Sequence, residues 1–152
     1  MYRYFDDKES LFTAAVNADA EALVAFVRSR LAVDVRPSLV DLLDLISDGL
    51  VEAIDGHPLV SRVLADRDMV TQHVLELPSV VGLRTDIASL LELLQEQGVV
   101  RPSLDAKSAA LALESIVLSH VADLTAALPA TASIYHRRWH AIVGLVETAL
   151  KP

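Results

Sequence analysis

Residues 105–128, DAKSAALALESIVLSHVADLTAAL, decide the fold. Asp105 offers a carboxylate to the N–H groups that a first helical turn leaves unpaired. Behind it, Ala106, Ala109, Ala110, Leu113, Ile116, Val117, Val121 and Leu124 recur at the three- and four-residue spacing of one helix face. Leu111, Leu118 and Ala122 form a second apolar side. One amphipathic stripe serves one core, whereas a helix that is apolar nearly all round is covered on more than one side. Pro129 marks its end. The spacing therefore predicts a long helix whose second side meets a partner chain or a ligand cavity.

The same period extends in both directions. Downstream, Ser133 to Leu150 carries Ile134, Trp139, Ile142, Val143, Leu145, Val146 and Ala149 in a similarly wide band. Upstream, a helix is predicted from Lys8 to Leu31, with Asp7 as its N-cap and Arg28 and Arg30 complementing the dipole of its last turn. Ser38 and Asp41 form a capping pair for a second helix that reaches Gly56. Shorter pieces follow from His57 to Leu64 and from Asp68 to Leu77. A further helix from Ser79 to Gln97 stops at Gly98. Almost no stretch has strand alternation. The expected fold is all-α, a bundle of six or seven helices.

Composition agrees with one compact domain. Of 152 residues, 53% are hydrophobic and 22% charged, and the net charge is −8. A mean hydropathy of +0.40 excludes intrinsic disorder. The acidic balance argues against nonspecific nucleic-acid binding, because phosphate repels such a surface. With no cysteine there is no disulfide, thiolate metal site or cysteine nucleophile. Ser38–Ile54 and Ala109–Val121 are the most apolar runs, and both fall short of the roughly 20 apolar residues of a membrane span. Residues 1–20 have no secretory pattern. The expected location is the cytoplasm, with no membrane partner.

The first residues carry the most specific motif. The run Tyr2-Arg3-Tyr4-Phe5-Asp6-Asp7-Lys8-Glu9-Ser10-Leu11-Phe12 resembles the TetR family of bacterial one-component transcription regulators. There a helix-turn-helix ends in an apolar residue, Tyr, any residue, Tyr or His, and Phe, followed by a turn and a Lys-Glu-x-Leu helix start. Gly98 to Asp105, before an Ala-rich helix, also looks like that family's approach to its penultimate helix. The resemblance implies DNA-phosphate contacts from Tyr2, Tyr4 and Lys8, which orient a protein without specifying sequence.

It also implies a domain division. Residues 1–7 would be the remnant of a helix-turn-helix and 8–152 a ligand-binding and dimerisation domain. The first two helices and most of the recognition helix would precede Tyr2, where Met1 stands. DNA binding is therefore expected only with upstream residues, whether the start is placed too late or the regulator is shortened. The function implied is a transcriptional regulator, most simply a repressor, reduced to small-molecule sensing and dimerisation. The alternative is a helical interaction module, or a dominant-negative partner of an intact relative, with no ligand or DNA of its own.

In the implied homodimer the last two helices pair with their symmetry mates through Leu113, Ile116, Val117, Val121, Leu124, Trp139, Ile142, Val143 and Val146. A cavity among the middle helices would take a small apolar ligand, with Met69, His73, Arg84 and His120 as candidate wall residues. Each of these four also has an ordinary reading, as core filling, a satisfied core histidine or a solvent-reaching arginine. His136 and His140 share a helix face at a spacing that suits zinc, but no third ligand is near and two arginines stand between them. No metal or cofactor is expected. The glycines at 49, 56, 82, 98 and 144 form no phosphate-cradling loop, and no Gly-x-Ser-x-Gly is present. No enzyme is expected.

Overall fold

The structure, a computed structural model, describes residues 7–31, 38–66, 68, 74–126 and 132–152. Among these residues six α-helices follow one another: α1 Lys8–Leu31, α2 Leu39–Ala53, α3 Pro58–Leu64, α4 Pro78–Glu96, α5 Ala106–Ala126 and α6 Ala132–Leu150. A 3-10 turn, Ile54–Gly56, joins α2 to α3. Among the described residues there is no strand, and the architecture is an all-α bundle. The expected helix from Asp68 to Leu77 falls mainly outside the described residues. Its end is a turn closed by Leu77 N–H on the Val74 carbonyl at 3.0 Å.

Local chemistry sets most boundaries. The Asp7 carboxylate accepts the Ser10 N–H at 2.7 Å and so caps α1. Ser38 and Asp41 complete both arms of a capping box at the start of α2. Pro78 opens α4 one residue before the expected Ser79, because a first helical position needs no N–H from proline. Gly98, at φ 71°, closes α4 with its own N–H on the Gln95 carbonyl and the Val99 N–H on the Leu94 carbonyl. The chain end is then pinned: Arg101 N–H donates to the Leu150 carbonyl at 2.8 Å, and its guanidinium reaches the Ala149 carbonyl.

One core joins all the helices. Helix α1 lies against α2, α3 and α4, helix α5 against α2, α3 and α4, and α6 covers α2 and α5. Val16, Leu42, Val63, Leu91, Val121 and Val143 are among the most deeply buried side chains. Each such residue contributes roughly 1.5–3 kcal/mol of hydrophobic free energy against the unfolded chain. Asp19 fixes the place of α3: its Oδ1 lies 2.8 Å from His57 Nδ1 while its Oδ2 accepts the N–H groups of Leu59 and Val60. A side chain of α1 thereby caps a helix that begins 39 positions later in sequence.

The membrane expectation needs correction on one point. Two segments, Lys8–Arg30 and Ala106–Ala126, are long and apolar enough to cross a membrane by length and composition, each with hydropathy 1.4. Both are longer than the apolar runs Ser38–Ile54 and Ala109–Val121. Both helices contribute to the core, which supplies a second reason for their apolar character.

Candidate ligand cavity and partner face

The middle of the bundle is not completely filled. Where α1, α2, α3, α4 and α5 converge there is a cavity of about 60 Å³. Leu23 and Val24 of α1, Ile46 and Leu50 of α2, and Leu64 of α3 line one side. Leu83 and Ile87 of α4 with Val117, Leu118 and Val121 of α5 line the other. The space exceeds the ~10–15 Å³ that one water needs. It is far below the roughly 300 Å³ at which ordinary ligand sites begin.

One polar feature stands in this aliphatic wall. Glu114, buried on α5, accepts from Arg84 of α4 through two nitrogens, Nε at 2.6 Å and Nη2 at 2.9 Å. Nη2 also donates to the Leu75 carbonyl at 2.7 Å. The hydrogen bond to Glu114 raises the Arg84 pKa above its already high ordinary value, outweighing partial burial. A bidentate pair of this kind fixes both side chains in one plane. It also satisfies a carboxylate whose unpaired burial would be costly. Arg84 is among the wall residues expected from the sequence, whereas its partner Glu114 is not. The available signal was that Glu114 shares the buried face of Ala110, Val117 and Val121. A carboxylate there requires a cation.

His120 belongs elsewhere. It stacks on the Trp139 indole, with ring centroids 4.3 Å apart and planes 14° from parallel, and Trp139 Nε1 donates to Asp44 Oδ1 at 2.8 Å. His120 lines a separate groove of about 260 Å³ between α5 and α6, together with Ser115, Ser119, Asp123, Tyr135 and Arg138. Burial first, and the nearby His136 second, lower its pKa against the opposing pull of Asp123, Asp48 and Asp44. It does not line the central cavity. Met69 and His73 lie outside the described residues, as do Tyr2 and Tyr4. Lys8 is exposed in the first turn of α1.

The expected dimer residues divide into two groups. Leu113, Val117, Val121, Trp139 and Val143 are buried in the chain's own core, so they have almost no surface to offer a partner. The apolar band was wide because α5 and α6 pack on α2 and on each other. Ile116, Leu124, Ile142 and Val146 remain half-buried. Beyond them, Leu111, Ile134 and Leu145 are exposed, the last at 71%. His136 and His140 are exposed, and among the described residues no three His, Asp or Glu side chains gather into a metal-binding group.

The geometry thus defines an all-α bundle with a small apolar cavity, one buried ion pair in its wall and an apolar outer face on the last two helices. Compared with protein-family models, curated proteins and solved structures, the chain matches none. The likeness to TetR regulators rests on the residues quoted for it.

Proposed function

We propose that this chain is the small-molecule-sensing and dimerisation part of a TetR-like one-component transcriptional regulator, acting as a repressor in the cytoplasm. The observation that carries the reading is the central cavity. Natural cores are close-packed, and this one leaves an apolar void where five helices meet. A ligand of ordinary size would enter only by widening that void. It would then favour an arrangement of the helices different from the unliganded one, by an amount set by its differential affinity for the two. In the family mechanism that rearrangement changes the separation of two DNA-binding heads. DNA reading belongs to such a head, with Lys8 and the preceding tyrosines at its phosphate-facing end. No catalytic step is involved.

A second copy of the chain is the partner proposed for α5 and α6. Leu111, Leu145 and the half-buried Ile116 and Ile142 supply the apolar surface, and two-fold dimers are the commonest closed assemblies. The exposure of Leu145 also favours the second reading, an interaction module that binds a different protein. Light scattering at micromolar concentration and a thermal-shift screen with apolar compounds separate the two. A dimer stabilised in a concentration-dependent way by some compounds supports the regulator. A monomer that no compound stabilises overturns it.

A further inference from the structure

The groove between α5 and α6 holds polar groups that the protein itself leaves unused. His120 is only 6% exposed and lines the groove, and among the described residues neither of its ring nitrogens has a hydrogen-bond partner. Its stack on Trp139 occupies a face of the ring and not the edge that carries the nitrogens. Asp123 of α5 and Arg138 of α6 line the same groove, and among the described residues neither forms an ion pair. The Ser119 and Tyr135 hydroxyls are uncommitted as well, whereas Ser115 already donates to the Leu111 carbonyl. Polar groups so far out of water are normally satisfied, and each exception needs a reason. At about 260 Å³ the groove approaches the roughly 300 Å³ at which ordinary ligand sites begin.

We infer that this groove binds a small zwitterion of the amino-acid class, with its carboxylate on Arg138 and its ammonium on Asp123. The inference is independent of the central cavity and of the sensing proposed for it. Ser119 and His120 precede Asp123 by one turn of α5, so three acceptors share one stretch of that helix. Burial keeps the imidazole neutral, which leaves it one acceptor nitrogen. An ammonium has three donors to match. On α6, Tyr135 stands one turn before Arg138, whose guanidinium lies over its ring at 5.9 Å. A guanidinium suits a carboxylate through paired N–H groups, and the phenol adds a further donor. Acceptors thus gather on one helix and donors on the other. A ligand with a single charge would satisfy one side and meet a like charge on the other. Ile116 and Ile142 flank the polar groups and offer contact to an aliphatic side chain.

Titration calorimetry on the full chain tests this with leucine, isocaproate, isoamylamine and glucose. Isocaproate is leucine without its amino group, isoamylamine is leucine without its carboxylate, and glucose is an uncharged polyol. Leucine should bind best, with each of the others weaker by at least about fivefold. Asp123→Asn should remove its advantage over isocaproate, and Arg138→Gln its advantage over isoamylamine. The wild-type ranking decides the matter if either variant does not fold. Ile116 and Ile142 also belong to the face proposed for a second copy. Each titration is therefore run at two protein concentrations that bracket any change in assembly seen by light scattering, and binding at either one counts. A singly charged analogue or glucose matching leucine on the wild-type chain overturns the inference. So does a leucine advantage that survives both variants, or an absence of leucine binding at both concentrations. None of these results touches the sensing reading, which stands or falls with the screen of apolar compounds.

Discussion

Asp19 and His57 meet at 2.8 Å across the junction of α1 and α3, and the second Asp19 oxygen holds the N–H groups of Leu59 and Val60. Both side chains are 17% exposed. One carboxylate therefore serves as a cap supplied from a different helix. Asp19→Ala should leave two amide donors and the imidazole without this acceptor, at a cost of about 1–3 kcal/mol. Asp19→Asn, which keeps one acceptor oxygen, should lose less. Urea unfolding of the two variants checks the order, and equal loss would contradict the capping role.

The Arg84–Glu114 pair should show strong non-additivity. Glu114→Leu alone strands the Arg84 charge against an apolar wall and should cost about 3 kcal/mol. Adding Arg84→Met should recover most of that loss, since an ion pair replaced by apolar groups is often neutral. A double-mutant cycle followed by denaturant midpoint measures the coupling. Additive losses would show that the pair contributes little as a unit.

Acid should weaken the fold through His120. Its pKa in the folded chain lies below the ordinary 6.5 because burial disfavours the imidazolium. The unfolded chain then binds the proton first as pH falls. The stabilising contribution is complete above about pH 6.5 and is lost as pH drops from there through the folded pKa. His120→Phe retains a ring on Trp139 and should remove this part of the acid dependence. The check is the midpoint of thermal unfolding between neutral and mildly acid pH, where wild type should fall more steeply than the variant.

Residues on α6 should separate assembly from stability. Leu145→Lys alters a side chain that is 71% exposed. It should leave monomer stability within about 0.5 kcal/mol, while lowering the mass seen by light scattering if α5 and α6 form the proposed interface. Val143→Ala alters a side chain that is 2% exposed. It should cost about 2 kcal/mol and leave assembly unchanged.

The helices were legible because their apolar spacing, caps and stops are local. Asp7, Ser38 and Gly98 act within a few residues of where they stand, so their roles survive without knowledge of the tertiary structure. The cavity was less legible. Arg84 and Glu114 lie 30 positions apart on different helices, and pairing at that distance depends on how α4 meets α5. The same limit applies to His120, which lines the α5–α6 groove and not the central cavity. Its apolar neighbours along the chain implied burial correctly, but not that Trp139 would arrive from α6 to cover it. The wide bands on α5 and α6 implied more than one buried side. The chain's own core accounts for five of the residues expected at a partner interface.

Trp139 is the sole tryptophan in the chain, and its indole is held by Asp44 on one edge and by the His120 ring on its face. Tryptophan emission therefore comes from one known place, the seam where α2, α5 and α6 meet. Protonated imidazole quenches a stacked indole more strongly than the neutral ring does. The Trp139 emission intensity is therefore expected to change as His120 changes charge, and its wavelength to shift if the last helix leaves its seat. Nothing needs to be attached to the chain to observe either one.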